Sequence, residues 1–377
     1  MMMQTLNIPF AERLLAFGNS DFEKEPFITI AIPHYKRRRY LEINLESLFA
    51  QSFNDFEILI SDDNSPDDSN ALIPKILKSS GRPFRYYAQP SNLGYDGNVR
   101  FILGAALGRY VMLLGNDDAL VSPTTLEEIA EMLRRLNLPE VAITNYEDWE
   151  SHKVTKRAYS VCLLGSGPQT AVHYFRSFSF VSGLIYDRVA AQRHETDRWD
   201  QSIYYQIYLA CRIVAAGGRM GALDISAIRD HIRLNGELVP ETYRNRYKNA
   251  PWSFKWKHTG LDSVVRVTVD AVLPFFPKSQ HSTAIRRVIT QILVITYPYW
   301  LFEYRRLANW GYAVGIARDL WPGSRLAEYH LSLHDRIYLW FLYFVATFAG
   351  LIIPARLFNR LRFKLADIVR HRRQLSH

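Results

Sequence analysis

Three polar clusters in this 377-residue chain bring together residue types that can do chemistry: Pro33-His34-Tyr35-Lys36-Arg37, Asp62-Asp63 and Asn116-Asp117-Asp118. Each ends a short β-rich run, at residues 27–32, 56–60 and 110–114. Asp and Asn favour strand ends and helix caps, so either acidic pair alone reads as turn chemistry. Two adjacent-carboxylate pairs, each ending a core strand of one sheet, ask for more. No Lys or Arg stands beside either pair in sequence, so the expectation is a cation from outside the chain. A divalent metal carrying a phosphate group fits, because Mg²⁺ typically takes one or two carboxylates plus substrate phosphates.

The elements that must position these clusters alternate. Helical spacing of Leu41, Leu45, Leu48 and Phe49 predicts a helix over 40–51, and further helices are expected over 69–79, 94–107 and 122–136. Residues 84–87 read as another strand between them. Strands alternating with helices of about 10–15 residues indicate βαβ units, a mostly parallel sheet and helices on both faces. Ligands of such sheets bind beyond the carboxyl ends of the strands, where all three clusters fall. Beyond 137 the pattern loosens. A strand is expected over 141–144, loop over 147–170, a buried strand over 180–186 and an apolar helix over 201–216.

No Gly-x-x-x-x-Gly-Lys-Ser/Thr loop occurs and no Gly-x-Gly-x-x-Gly follows the first strand, which takes most of the support from P-loop phosphotransfer and ordinary dinucleotide binding. A nucleotide site built from acidic strand ends remains. The runs Ile30-Ala31-Ile32-Pro33-His34-Tyr35-Lys36-Arg37, Leu48-Phe49-Ala50-Gln51-Ser52-Phe53, Phe56 to Ser65, Asn92-Leu93-Gly94 and Gly115-Asn116-Asp117-Asp118 together resemble family 2 glycosyltransferases, in order and spacing, over about residues 26–125. The resemblance implies the GT-A fold, a nucleotide-sugar donor, a divalent metal (Mn²⁺ or Mg²⁺) and inversion at the anomeric carbon. It further implies that Asp63 binds the base or ribose, with Pro33 and Tyr35 lining the same pocket. Asn92, Gly94 and Asn98 fall where the family's third loop passes the nucleotide. Asp117 would face the ribose or sugar and Asp118 would ligate the metal. Lys36 departs from the family's usual asparagine, which puts the conformation of that loop in question.

Inverting transfer also needs a carboxylate to take the acceptor's proton. In the family it lies well after the metal motif at a helix start, and Asp200 in Arg198-Trp199-Asp200-Gln201 fits, with Asp197 and Glu195 as alternatives. Asp200 could equally cap that helix, and the two roles are compatible. His231 lies where some related enzymes place a histidine metal ligand, although a lone histidine is as readily structural. Arg229 and Arg233 could hold a diphosphate or simply be solvated.

Charge is divided unevenly. Residues 251–377 carry a net +11 and residues 1–250 a net −2. A neutral catalytic body with a basic, aromatic tail suits an anionic membrane surface rather than a nucleic acid. Residues 337–353 are 17 uncharged residues in a row, at the lower limit for a spanning helix, followed by Arg356, Arg360, Arg362, Lys364, Arg370, Arg372 and Arg373. Buried helix, interfacial anchor and short span all fit, with peripheral or monotopic attachment expected. A second stretch, 288–302, is broken by Pro298 and too short to span. Residues 1–19 lack a secretory pattern, and Cys162 and Cys211 form no disulfide framework, which together suit the cytoplasm.

The expected organisation is an N-terminal extension (1–25), a catalytic domain (26–250, with a nucleotide-sugar half to 125 and an acceptor half from 126) and a helical, basic C-terminal region (251–377). The expected activity is sugar transfer to a saccharide acceptor, with a polyprenyl-diphosphate-linked saccharide as the expected class, as in surface glycan or O-antigen synthesis. Two other readings stay open: a nucleotidyltransferase, weakened because residues 33–39 contain no glycine, and a non-catalytic nucleotide-sugar or membrane-binding module.

Overall fold

Four short runs of β-branched and aromatic residues, each followed by a helical segment, set the first half of the fold. The structure is a computed structural model that describes residues 10–18, 25–234, 260–306, 310–354, 356–358 and 360. A helical turn, α1 (Phe10–Arg13), leads into β1 (Leu14–Gly18). Then β2 (Ile28–His34), α2 (Arg38–Phe49), β3 (Phe56–Asp62), α3 (Ser69–Ser79), β4 (Phe84–Ala88), α4 (Gly94–Ala105) and β5 (Tyr110–Leu113) alternate strictly. They pair in parallel in the order β4-β3-β2-β5, the arrangement that right-handed βαβ crossovers produce. Every residue of β3 is buried, as befits a central strand covered on both faces.

The rest of this unit is mixed rather than parallel. The chain continues through β6 (Ala119–Leu120), α5 (Thr125–Arg135), β7 (Val141–Asp148), β8 (Val154–Thr155), β9 (Cys162–Gly165), α6 (Gly167–Tyr174), β10 (Leu184–Asp187), α7 (Arg188–Arg193), α8 (Tyr205–Ala215) and β11 (Met220–Asp230). Strand β10 lies antiparallel between β5 and β7, and β11 runs parallel to β7. The sheet therefore follows β1-β4-β3-β2-β5-β10-β7-β11-β6, with β8 on β7 and β9 on β11. The stretch expected to be loop (147–170) contributes two short strands. The helix expected from 201 begins at Tyr205, because Gln201 and Ile203 take left-handed backbone angles that no helix accepts.

The chain divides into two compact units, Met1–Thr242 and Tyr243–His377. The second is helical: α9 (Leu261–Val272), α10 (His281–Gln291), α11 (Tyr297–Arg306), α12 (Trp310–Asp319), α13 (Pro322–Arg325) and α14 (Leu333–Ile352). A π-helical turn, Ile292–Thr296, joins α10 to α11 and absorbs the hydrogen bond that Pro298 cannot donate. Helix α14 is two-sided. Leu339, Tyr343, Ala346 and Gly350 recur at helical spacing on its buried side. A Cβ on Gly350 would lie 2.6 Å from the Cβ of Leu301, so glycine permits the close approach of α14 to α11. On the other side Ile337, Phe341, Phe344, Phe348 and Ile352 are each more than half exposed. It is long and apolar enough to cross a membrane by length and composition alone. Arg362, Lys364, Arg370, Arg372 and Arg373 lie outside the described residues.

Candidate functional site

The acidic residues at the end of β3 diverge. Asp62 turns inward, accepting hydrogen bonds from the Ser65 amide (2.6 Å) and the Tyr86 hydroxyl (3.0 Å). Asp63 turns toward α4, where the amides of Leu93 (2.6 Å) and Gly94 (3.0 Å) both donate to its carboxylate. Gly94 sits at φ +74 with open space around it, so its role is to present that amide from a left-handed turn. Burial pushes the Asp63 carboxyl up to about 6, against the two amide bonds, which act to lower it. Asn92 Nδ2 donates to the Asp63 carbonyl and Asn98 Nδ2 to the Ser61 carbonyl, both at 3.0 Å. These four site residues, Asp63, Asn92, Gly94 and Asn98, are thus gathered at one strand end.

Pro33 and Tyr35, both partly buried, flank His34 at the end of β2. Asn116 Nδ2 donates to His34 Nδ1 (3.0 Å), which assigns the ring proton to Nε2, facing Ser69 Oγ (2.9 Å). Burial lowers the His34 ring to about 4 and keeps it neutral. This ring links the ends of β3 and β5, which lie on either side of β2. Lys36 (φ 57) and Arg37 (φ 68) are consecutive left-handed residues. Asn tolerates that region better than Lys, which gives the family's asparagine a physical reason. Here the Lys36 amide, donating to Ser65 Oγ at 2.8 Å, holds the turn.

The second acidic pair does find a cation within the chain. Arg37, 80 residues upstream, places Nη1 3.0 Å from Asp117 Oδ2. The expectation that no basic residue of the chain neutralises this pair is therefore corrected for Asp117, because folding brings together what sequence distance separates. Asp118 is different. Among the described residues its buried carboxylate accepts hydrogen bonds from Ser182 Oγ (2.5 Å) and the His231 amide (3.1 Å), and burial together with Asp117 pushes it up to about 7. A Cβ on Gly115 would come within 2.9 Å of Asp118 Oδ2, so glycine leaves room for that carboxylate.

Asp200 belongs to a separate cluster. Arg100 of α4 grips it through Nη2 (2.7 Å) and Nε (3.3 Å) and also reaches Glu195 (3.4 Å). The Asp200 amide bonds the Asp197 carbonyl (3.0 Å). Asp200 and the Asp117-Asp118 pair share no hydrogen bond or ion pair among the described residues. Arg229 and Arg233, weighed for a diphosphate, pair with Glu147 (2.9 Å) and Glu150 (3.2 Å).

The sequence profile of glycosyl transferase family 2 matches residues 29–181, which contain the ends of β2, β3 and β5 together with Asp63, Asn92, Gly94, Asn98, Asp117 and Asp118, while Asp200 and His231 lie beyond it. The chain carries a family 2 glycosyltransferase domain. It is 34% identical over 97 residues to a GalNAc(5)-diNAcBac-PP-undecaprenol beta-1,3-glucosyltransferase of Campylobacter jejuni, covering 26% of this chain and 31% of the relative. It is 39% identical over 95 residues to the abequosyltransferase RfbV of Salmonella typhimurium, covering 25% and 28%. The chain thus spans under a third of the length of these relatives. In fold it is similar to TarS 1–349 of S. aureus, solved with UDP-GlcNAc, at a TM-score of 0.56 and 14% identity over 86% of this chain and 89% of that one. The GT-A class and the helical region that follows agree with this likeness.

A divalent metal is compatible with the residues of the glycosyltransferase domain. Among the described residues no three acid, histidine or cysteine side chains converge as a complete cage. The fit rests on a smaller set. Asp118 is a buried carboxylate that forms no ion pair among the described residues, and the half-exposed His231 places Nδ1 3.0 Å from Asp230 Oδ2. A carboxylate behind one ring nitrogen is the usual support for a histidine that ligates through the other. An oxygen and imidazole donor set, completed by substrate phosphates, suits Mg²⁺ or Mn²⁺.

Several residues that hold the site escape a sequence reading. Asn44 of α2 is buried and donates to the carbonyls of Gly115 (2.9 Å) and Asp118 (2.7 Å), fixing the turn between them. Its signal is legible in retrospect: a polar residue three places after Leu41 on the apolar face of a helix. Arg157 is buried beside the stacked rings of Tyr146 and Phe180 and donates to the carbonyls of Thr144, Phe180 and Ser182. It thereby orders the segment that brings Ser182 to Asp118, and no pattern in residues 147–170 announces it. Asp96 and Arg100 of α4 are the other two.

The raised Asp63 carboxyl has a consequence for stability. Its unfolded value is about 3.9, so between pH 4 and 6 the folded chain binds more protons than the unfolded one and stability falls as pH rises. Thermal unfolding of Asp63→Asn is expected to lack this contribution, on the order of 2 kcal/mol, so the variant loses less stability than the native chain across that window. Parallel pH profiles for the two proteins would contradict it.

Proposed function

We propose that this chain transfers a sugar from a nucleoside-diphosphate sugar to a hydroxyl of a saccharide acceptor, with inversion. The observation that carries the reading is that Asp63, with its caged carboxylate, and the Asp117-Asp118 turn follow β3 and β5, the two parallel strands that flank β2 in a family 2 domain. In this reading Asp63 accepts hydrogen bonds from the base or ribose, beside Pro33, Tyr35, Asn92, Gly94 and Asn98. Asp117 faces the ribose or sugar. Asp118 and His231 would hold the metal, which when bound neutralises charge on the leaving diphosphate. Asp200 takes the proton of the attacking hydroxyl as general base.

The similarity to the Campylobacter jejuni glucosyltransferase named for an undecaprenol-linked saccharide supports a lipid-linked acceptor. We infer the same acceptor class here, with attachment to the inner face of the cell membrane through the second unit. The exposed apolar face of α14 and the +11 charge of residues 251–377 support that attachment. One helix face buried against protein and the other exposed suits a helix lying in the interface.

Asp200→Asn is expected to bind nucleoside diphosphate as the native chain does while nucleotide release from the sugar donor falls by about 10²–10⁴-fold. Retention of normal turnover would remove Asp200 from the mechanism. For the membrane, the double variant Phe341→Glu/Phe348→Glu should lose cosedimentation with vesicles containing anionic phospholipid. If the variant pellets as well as the native chain does, α14 is not the attachment surface.

A further inference from the structure

Helix α4 serves two acidic loops at once. At its start the Leu93 and Gly94 amides hold the Asp63 carboxylate. Two residues on, the buried Asp96 carboxylate accepts the amides of Ile203 (2.7 Å) and Tyr205 (3.0 Å). One turn further along the same face Arg100 grips Asp200 with two donors. Gly97 lies between them, and a Cβ there would be 3.7 Å from Asp200 Oδ2, so the carboxylate rests directly over the helix.

The loop so held is strained. Gln201 (φ 73) and Ile203 (φ 67) are both left-handed, and for a β-branched residue that region is a genuine outlier. Such backbone persists only where its surroundings over-determine it. Asp96 supplies the determination at the strained residue itself, through the Ile203 amide, and at Tyr205, the first residue of α8. Ser202 Oγ accepts the Tyr204 amide (3.1 Å), closing the loop on itself. Burying a carboxylate is a costly way to pin a loop that apolar contacts could have covered, which points to a requirement for position rather than for stability alone.

We propose that Asp96 and Arg100 are positioning residues for Asp200: one face of α4 sets the loop and aims the carboxylate, while the start of the same helix sets Asp63. A single rigid element then fixes the distance between the nucleotide end of the site and the group that takes the proton. This rests on the reading of Asp200 as the general base.

The test uses the full chain labelled with 5-fluorotryptophan, with the Trp199 resonance assigned by its loss in Trp199→Phe. Trp199 precedes Asp200, so its resonance reports the loop without any substrate. Asp96→Asn and Arg100→Gln are expected to shift or broaden that resonance while the other tryptophans stay in place, and Arg100→Lys to return it toward the native position. With a UDP-, GDP-, CDP- and dTDP-sugar tried in turn, the first two variants should lower kcat for nucleotide release about ten- to a hundredfold at a donor KM within about twofold of native. An unmoved Trp199 resonance, or native kcat in both variants, overturns the proposal. Asp200→Asn separates the two claims. If it turns over normally the general-base reading fails, and if it is inactive while Asp96→Asn and Arg100→Gln work normally only the positioning role fails.

Discussion

A buried carboxylate that captures the backbone amides of a neighbouring loop is the device on which this site depends. It recurs at each corner. Asp62 holds the Ser65 amide, Asp63 those of Leu93 and Gly94, Asp96 those of Ile203 and Tyr205, and Asp118 that of His231. Taking a carboxylate out of water is expensive unless N–H donors replace the lost hydration. The replacement here is incomplete, since burial still pushes Asp63 and Asp96 up to about 6 and Asp118 to about 7. At Asp63 and Asp118 that residual cost is what a bound donor group or cation would relieve.

The strain in the loops follows from the same arrangement. Left-handed residues other than glycine include Lys36, Arg37, Asn64, Gln201, Ile203 and His231, all in segments that carry or flank the site. Backbone of this kind costs on the order of 1–3 kcal/mol per residue, and three of these residues have their amide held by a fixed partner. Lys36 is held by Ser65, Ile203 by Asp96, and His231 by Asp118. The parallel strands β4-β3-β2-β5 make this possible by presenting three chain ends on one rigid edge, with His34 bridging the outer two through Asp62 (3.6 Å) and Asn116 (3.0 Å).

How much of this is legible in the sequence depends on the range of the interaction. Strands β2, β3 and β5 and the clusters at their ends are local patterns, β-rich runs that meet polar residues, and they read directly, although β2 runs on through Pro33 to His34. So does the helical character of the second unit. What does not read is anything made by chain closure. The insertion of β10 between β5 and β7 follows from pairings with residues about 40 to 75 positions away, as the register shows, and its four residues carry no partner label. Arg37 and Asp117 look unrelated in sequence and form an ion pair in space. Asp96 reads as a surface residue near a helix start, yet its carboxylate is buried against a loop more than 100 residues on. Asn44 is the intermediate case, since a polar residue on an apolar helix face is a visible anomaly whose partner is not.

The central claim is that the caged Asp63 and the Asp118 carboxylate form one metal-assisted nucleotide site. Its most direct measurement is calorimetric titration of UDP, GDP, CDP and dTDP into the full chain, each with and without Mn²⁺, in the native protein and in Asp118→Asn. The account predicts that one nucleotide binds, that Mn²⁺ strengthens it, and that Asp118→Asn removes the metal's effect. Binding of none of the four by folded protein, or binding indifferent to both Mn²⁺ and Asp118, would contradict it.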